Sequence, residues 1–481
     1  MELNQLTITT ASEGIRKNKF SVTELVSACM EEIKKRDPEL HAYLSVFEDA
    51  KEEAAKADEM LTASGENLPP LFGIPLALKD NILLSGKPST AGSKILENYV
   101  ASYDATVVRK LKNHGAIFLG KTNMDEFAMG SSTENSAFGP SKNPHDTARV
   151  PGGSSGGSAV AVSAHLALGA FGSDTGGSIR QPASLCGVVG FKPTYGAVSR
   201  HGLIAMASSL DQIGPFAKTV TDAEILFNAV KGKDPLDSTS VDPNYQLPIT
   251  SNQWRGIRIG VPKEYFISGL DPRIESSIKS FLKKASSEGA IIKEISLPHS
   301  SYALATYYII VPSEVSANLA RFDGIRYGMQ EKGDSLFETY ARSRARGFGA
   351  ETKRRIMLGT YVLSAGYYDA YYLKAQKVRA LIKEDFRKAF AEVDVIAGPT
   401  TPAPAFLLGE KSEDPLAMYL ADIYTVAVNL AGIPGISVPA GTVDENDKKL
   451  PIGLQLIGGW FEEPKLFAIA KLAEKLLGAG L

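Results

Sequence analysis

The spacing of apolar positions changes along this chain, and with it the element each stretch predicts. Through residues 5–65 apolar side chains recur at helical spacing between Glu- and Lys-rich faces, which predicts helices. Ser21-Val22-Thr23-Glu24 is a capping box opening a helix to about Arg36, closed by Pro38, and an Ala- and Glu-rich helix follows over 45–64. Pro69-Pro70 marks a loop, after which short apolar runs appear. Buried strands are expected at 74–78, ending at Lys79, and at 116–119, with a helix over 105–113 between them. Next come a short helix at 123–129, a polar loop at 130–135, a helix of small residues at 158–168 and a strand at 188–191. Thr219-Val220-Thr221-Asp222 opens a further helix, and the Asp-, Pro- and Ser-rich stretch 232–254 reads as a surface excursion and a weak boundary. The second half predicts strands near 257–261, 290–295, 393–398, 436–439 and 451–457, and helices at 272–288 and 463–477. Residues 302–388 read as mostly helical and rich in tyrosine. Strand–helix alternation of this kind predicts an α/β fold.

Composition narrows the class. Of 481 residues 44% are hydrophobic and 22% charged, enough for a sizeable core. The net charge of −2 gives no ground for strong nucleic-acid binding by this chain. Met1-Glu2-Leu3-Asn4 has neither the basic nor the apolar region of a signal peptide, and no run approaches the ~18 apolar residues of a membrane span. Two distant cysteines, Cys29 and Cys186, fit a reducing compartment. The expectation is a cytoplasmic protein with no membrane partner.

The candidate chemistry lies in two glycine–serine loops, Gly152-Gly153-Ser154-Ser155-Gly156-Gly157-Ser158 and Asp174-Thr175-Gly176-Gly177-Ser178-Ile179-Arg180, separated by an apolar stretch. Glycines let backbone N–H groups approach a ligand, and serines supply hydroxyls. Brought together, such loops suit acyl transfer, which needs a nucleophile beside an oxyanion site. A serine needs a base. None of the six histidines sits in the expected pattern, and the alternative is a lysine kept neutral by burial. Lys79 ends an apolar strand, unlike the usual solvated lysine. Gly153-Ser154-Ser155-Gly156-Gly157 formally fits a nucleophile elbow but lacks the preceding strand, and Ser276-Ser277-Ile278-Lys279 lies on a charged helix far from any glycine loop. Neither a Walker loop nor a dinucleotide glycine motif occurs.

The two loops, with Gly172-Ser173 before the second and Gln181-Pro182 after it, resemble the amidase signature, and Gly73-Ile74-Pro75-Leu76-Ala77-Leu78-Lys79-Asp80-Asn81 resembles that family's lysine segment. The resemblance covers nearly the whole chain. It implies a large mixed central β-sheet covered on both faces by helices and a single unit over 1–481, with a catalytic core at about 70–230 and a substrate-completing region at about 255–481. It also implies a Ser–Ser–Lys triad: Ser178 as nucleophile, Ser154 as bridge in a cis peptide, Lys79 as base. Thr175, Gly176 and Gly177 would supply oxyanion N–H groups, and Asp174 and Arg180 would be structural.

Further stretches resemble the family of A subunits of glutamyl-tRNA(Gln)/aspartyl-tRNA(Asn) amidotransferases. They are Asn123-Met124-Asp125-Glu126-Phe127-Ala128-Met129-Gly130-Ser131-Ser132, Arg321-Phe322-Asp323-Gly324-Ile325-Arg326-Tyr327-Gly328, Arg354-Arg355-Ile356-Met357-Leu358-Gly359, Gly366-Tyr367-Tyr368-Asp369-Ala370-Tyr371-Tyr372 and Asn429-Leu430-Ala431-Gly432-Ile433-Pro434-Gly435. That resemblance implies a glutaminase with no cofactor or metal of its own. It would pass ammonia to a B subunit that uses ATP and magnesium to amidate mischarged tRNA, held mainly by that subunit, with a C subunit joining the other two. Arg355 and Asp422, with Tyr308, Met129, Gly130 and Ser131, would bind glutamine. An arginine fork and a carboxylate are what a free amino acid requires. The alternatives are a free-standing amidase for a small amide and a non-catalytic scaffold.

Overall fold

The computed structural model describes residues 2–64, 68–243, 253–266 and 269–478. Among the described residues eleven strands are present in chain order: β1 (Tyr43–Val46), β2 (Pro75–Lys79), β3 (Ile117–Thr122), β4 (Gly169–Asp174), β5 (Val189–Lys192), β6 (Gln212–Ala217), β7 (Arg258–Pro262), β8 (Ile291–Ile295), β9 (Val395–Pro399), β10 (Gly435–Glu445) and β11 (Lys448–Ile457). They form one mixed sheet in the order β1-β3-β2-β4-β6-β5-β10-β11-β9-β7-β8. β2 runs parallel to β3 and β4, and β7 runs parallel to β8 and β9. The β4–β6–β5–β10–β11–β9 series is antiparallel throughout. Every residue of β2, β3, β4, β5 and β6 is buried, which requires helices over both faces of the sheet. The two halves of the chain meet where β5 pairs with β10. Among the described residues no helix is long and apolar enough to cross a membrane.

Several expectations change. The capping box forms as read, with Ser21 Oγ accepting from Glu24 N–H, but the helix runs through Pro38 to Leu40 and ends at His41 in the left-handed region. Asp37 then accepts the N–H groups of Ala42 and Tyr43, turning the chain into β1, which lies inside the stretch expected to be helical. The small-residue helix occupies Gly156–Ser163, ends short of His165 at φ 61°, and gives way to β4. β6 was not anticipated, since Gly214-Pro215 interrupts its apolar pattern. The expected helix at 123–129 shrinks to a turn, Glu126–Ala128, because Phe127 and Ala128 take positive φ. The hairpin β10–β11 is longer than read. In the surface excursion 232–254, residues 244–252 lie outside the described residues. The helices predicted within 302–388 are present at Ala303–Asn318, Leu336–Gly347, Ala350–Val362 and Lys374–Glu392.

Candidate active site

Lys79 is the last residue of β2, and its side chain is fully enclosed. Its Nζ donates to Ser154 Oγ at 2.7 Å, Ser155 Oγ at 2.8 Å and Ser173 Oγ at 3.0 Å. Burial disfavours the ammonium and brings the pKa down to about 7, against the pull of Asp125, Asp174 and Asp211. Near neutral pH the amine form is therefore accessible, and its lone pair can accept a hydroxyl proton. The parallel pairing of β2 with β4 brings the lysine to Ser173, and the turn into the helix Gly156–Ser163 delivers Ser154 and Ser155. The Gly153–Ser154 peptide is cis, as the family resemblance implied.

Ser178 follows β4 by a four-residue step and stands just before the helix Arg180–Cys186. The two serine loops meet through Ser155 N–H, which donates to the Ser178 carbonyl at 3.2 Å. Among the described residues Ser178 Oγ and Ser154 Oγ form no hydrogen bond with each other. Asp174 shapes the nucleophile loop by accepting Gly177 N–H at 2.8 Å and Ile179 N–H at 3.2 Å. Arg180, wholly buried, grips the same carboxylate with Nε at 3.0 Å and Nη2 at 3.1 Å and reaches Gln455 Oε1 at 2.7 Å. Burial opposes ionisation of Asp174, but the Arg180 charge and hydrogen bonds outweigh it and hold the carboxyl at about 2. The expectation that this pair is structural fits the geometry. Thr175 Oγ1 donates to Asp211 at 2.7 Å, and Thr425 Oγ1 donates to the Gly176 carbonyl at 2.6 Å. Gly176 has to be glycine, since a Cβ there would come within 2.6 Å of the Tyr307 ring.

A second cluster surrounds Asp422. Ser131 Oγ donates to Asp422 Oδ2 at 2.5 Å, while Asp422 Oδ1 is buried without a hydrogen-bond partner. Burial raises this carboxyl to about 7 in spite of the Ser131 hydrogen bond. Arg355 is buried on the helix Ala350–Val362, and its Nε donates to Glu351 Oε1 at 2.7 Å. Its guanidinium lies 5.2 Å from the centre of the Tyr308 ring and 5.5 Å from that of Tyr419, and these rings stack at 3.8 Å. Tyr419 Oη donates to the same Glu351 oxygen at 2.9 Å. Asp422 joins the nucleophile loop through Thr425, whose N–H donates to the Asp422 carbonyl. Of the other expected pocket residues, Met129 sends its side chain into the core, while Gly130 stands against the Asp125 carboxyl.

Sequence reading missed Ser155, Ser173, Tyr307, Glu351, Tyr419 and Thr425 as members of these clusters. Ser155 and Ser173 lie inside the loops already singled out, but which hydroxyls face Lys79 depends on strand register. Glu351 and Arg355 stand four apart, the spacing of a helical ion pair, and that signal was available.

The model of the amidase family, described as "Amidase", matches residues 24–467. The chain is similar to the A subunit of glutamyl-tRNA(Gln) amidotransferase from Carboxydothermus hydrogenoformans, 55% identical over 478 residues, covering 99% of this chain and 98% of that one. It is equally similar to the protein of the same name from Koribacter versatilis, 55% identical over 484 residues with both chains fully covered. Among solved structures, the A subunit of glutamyl-tRNA(Gln) amidotransferase from Thermotoga maritima superposes with a TM-score of 0.81 at 43% identity, covering 99% of this chain and 95% of that one. A Ser- and Gly-lined buried lysine on a mixed eleven-stranded sheet, matched along its length by these relatives, places the chain in the amidase family, among the glutamyl-tRNA(Gln) amidotransferase A subunits.

Proposed function

We propose that this chain is the glutaminase component of a tRNA-dependent amidotransferase and works through Ser178, Ser154 and Lys79. The observation that carries the proposal is the enclosed Lys79, brought to a pKa of about 7 with its Nζ 2.7 Å from Ser154 Oγ. As the amine, Lys79 takes the Ser154 proton while Ser154 takes that of Ser178. Ser178 Oγ then attacks the side-chain amide carbon of glutamine. Negative charge develops on the amide oxygen, where backbone N–H groups of the loop can meet it. The Gly177 N–H is already engaged by Asp174, so this role rests on Thr175 and Gly176, with Gly177 contributing shape at φ 141°. Lys79 returns the proton through Ser154 to the departing nitrogen and ammonia leaves. Water, deprotonated by the same route, cleaves the glutamyl ester.

In this reading Arg355 holds the α-carboxylate of glutamine and Asp422 its ammonium, with Tyr308 and Ser131 alongside and Met129 and Gly130 forming the backbone wall. The unpartnered Asp422 Oδ1 supports the assignment, because a buried carboxylate oxygen gains most from a charged donor. Ammonia passes to a B subunit that uses ATP and magnesium to amidate Glu-tRNA(Gln), Asp-tRNA(Asn) or both, with a C subunit completing a heterotrimer. A net charge of −2 leaves the tRNA mainly to the B subunit. The reading takes the chain as one unit over 1–481, in keeping with a sheet continuous from β1 to β8. A cytoplasmic setting is in keeping with two buried free cysteines.

The test is glutamate release by the purified chain, alone and with B and C subunits, ATP, magnesium and mischarged tRNA. Slow turnover alone and faster turnover in the full mixture are expected. Full activity alone, without stimulation, would point to a free-standing amidase.

A further inference from the structure

The helix Ala350–Val362 is packed on one face and exposes large apolar side chains on another. Its inner face, with Thr352, Arg355, Gly359 and Val362, is buried against the helix Ala303–Asn318. The approach is so close that a Cβ at Gly359 would collide with the Pro312 carbonyl. Its outer face carries Met357, 71% exposed, with Leu358 and Tyr361, at 46% and 49%. The patch continues beyond the helix. Tyr361 lies 4.4 Å from Tyr367 between ring centres, and Tyr367 lies 5.9 Å from Tyr371. An outward stripe of this kind on a helix whose inner face is already packed marks a surface that another molecule covers. Tyrosine, methionine and arginine are the residues enriched at protein–protein interfaces.

We infer that this stripe, Met357, Leu358 and Tyr361 with Tyr367 and Tyr371, is where a partner of the proposed amidotransferase docks, presenting an apolar segment edged by acidic residues. The inference rests on the proposed function. Its chemistry comes from the stripe and its surroundings. Residues 342–361 hold six cations and one carboxylate, and Arg342, Arg346, Lys353 and Arg354 are exposed, three of them ion-paired with Glu338, Glu331 and Glu351 of this chain. An acidic rim on the partner complements them. A nucleic acid fits less well. The patch centre carries no charge to hold phosphate, and the tyrosine rings stand against one another instead of presenting free faces for bases. The surface also reaches the substrate pocket. Glu351 bonds Arg354 on the rim through Oε2 and Arg355 in the pocket through Oε1. A partner carboxylate that draws Arg354 away leaves Glu351 to Arg355 and Tyr419, on the pocket side, so docking is expected to lower KM for glutamine.

The test compares the full-length wild type with the M357D/Y361D variant, each titrated with the purified B–C pair from the same source and followed by analytical ultracentrifugation. The variant is expected to melt with the wild type and to keep its basal glutamine turnover. It should bind the B–C pair about 100-fold more weakly and lose the partner-dependent fall in KM. If the aspartates prevent folding, M357A/Y361A should still weaken binding about 10-fold. Wild-type affinity in a folded variant overturns the inference while leaving the proposed function standing. So does a wild type that self-associates, or binds tRNA, through this stripe and loses only that in the variant. A wild type that neither hydrolyses glutamine nor binds the B–C pair overturns both.

Discussion

Lys79 Nζ and Ser154 Oγ lie 2.7 Å apart inside a pocket where the lysine has no contact with solvent. An ammonium enclosed in this way loses hydration that three serine hydroxyls replace only in part, and this moves its proton affinity into the range useful for catalysis.

Replacing Ser178 with Ala should abolish glutamine hydrolysis, and Lys79→Ala should nearly do so. Ser154→Ala should cost less, because a water can occupy the vacated hydroxyl position and carry the proton. Ammonia added directly should still support amidation by a complex containing S178A, since only the ammonia supply is lost. Glutamate release and amidated tRNA are measured in parallel. Near-normal glutaminase rates in S178A would remove it as nucleophile.

The pH profile follows from two groups. Lys79 must be the amine to accept a proton, and its pKa sits at about 7, so kcat should fall about tenfold per pH unit below that value. Asp422 must be the carboxylate to hold an ammonium, and its own pKa of about 7 falls when that cation arrives. KM should therefore rise as pH drops through the same range. In Lys79→Arg, whose guanidinium stays charged, raising the pH should restore nothing. A flat profile between pH 5.5 and 8 would contradict the lysine base.

Arg355→Ala and Asp422→Ala should each raise KM for glutamine, by an amount corresponding to about 2–5 kcal/mol for truncating one partner of a buried charge pair. Glu351→Gln should raise KM by less, because it loosens Arg355 without removing it. Initial-rate kinetics across glutamine concentration check all three. Unchanged kinetics in the first two would place glutamine elsewhere.

Arg180→Met should lower the melting temperature sharply. It leaves Asp174 buried beside Asn429 without its counter-charge, a loss of about 3–5 kcal/mol. Asp174, held at about 2 in the fold, is ionised throughout the neutral range, so its contribution is present above the ordinary carboxylate range and is lost as pH falls through its folded value. In the variant burial acts on Asp174 without the arginine that offsets it, so its carboxyl rises above the ordinary range and the deficit should grow as pH rises from 6 to 8. Calorimetry of both proteins across that range measures it.

What the sequence made legible was local. The glycine–serine loops, the strand carrying Lys79 and the helical run 302–388 each announce themselves through turn residues or periodicity. β4 did not, because Gly169-Ala170-Phe171-Gly172 continues the small-residue texture of the preceding helix, and only pairing with β2 and β6 makes it a strand. The site behaves likewise. Ser154 and Ser178 stand out in the sequence, whereas Thr425 and Tyr307, which hold Gly176 in place, come from distant segments with no local mark. Gly177 illustrates a finer limit, since the motif names the residue while only the Asp174 carboxylate shows where its N–H points.

The seam at which β5 meets β10 also sets an order in time. Lys79, Ser154 and Ser178 all leave the ribosome long before Thr425, Asn429 and Gln455, the residues that clasp the nucleophile loop and its arginine. A nascent or prematurely terminated chain carries the full set of reactive side chains without the clasp that orders them. Under the proposed function, glutamine hydrolysis is expected only once this clasp is complete, and a fragment ending before Thr425 should release no glutamate from glutamine.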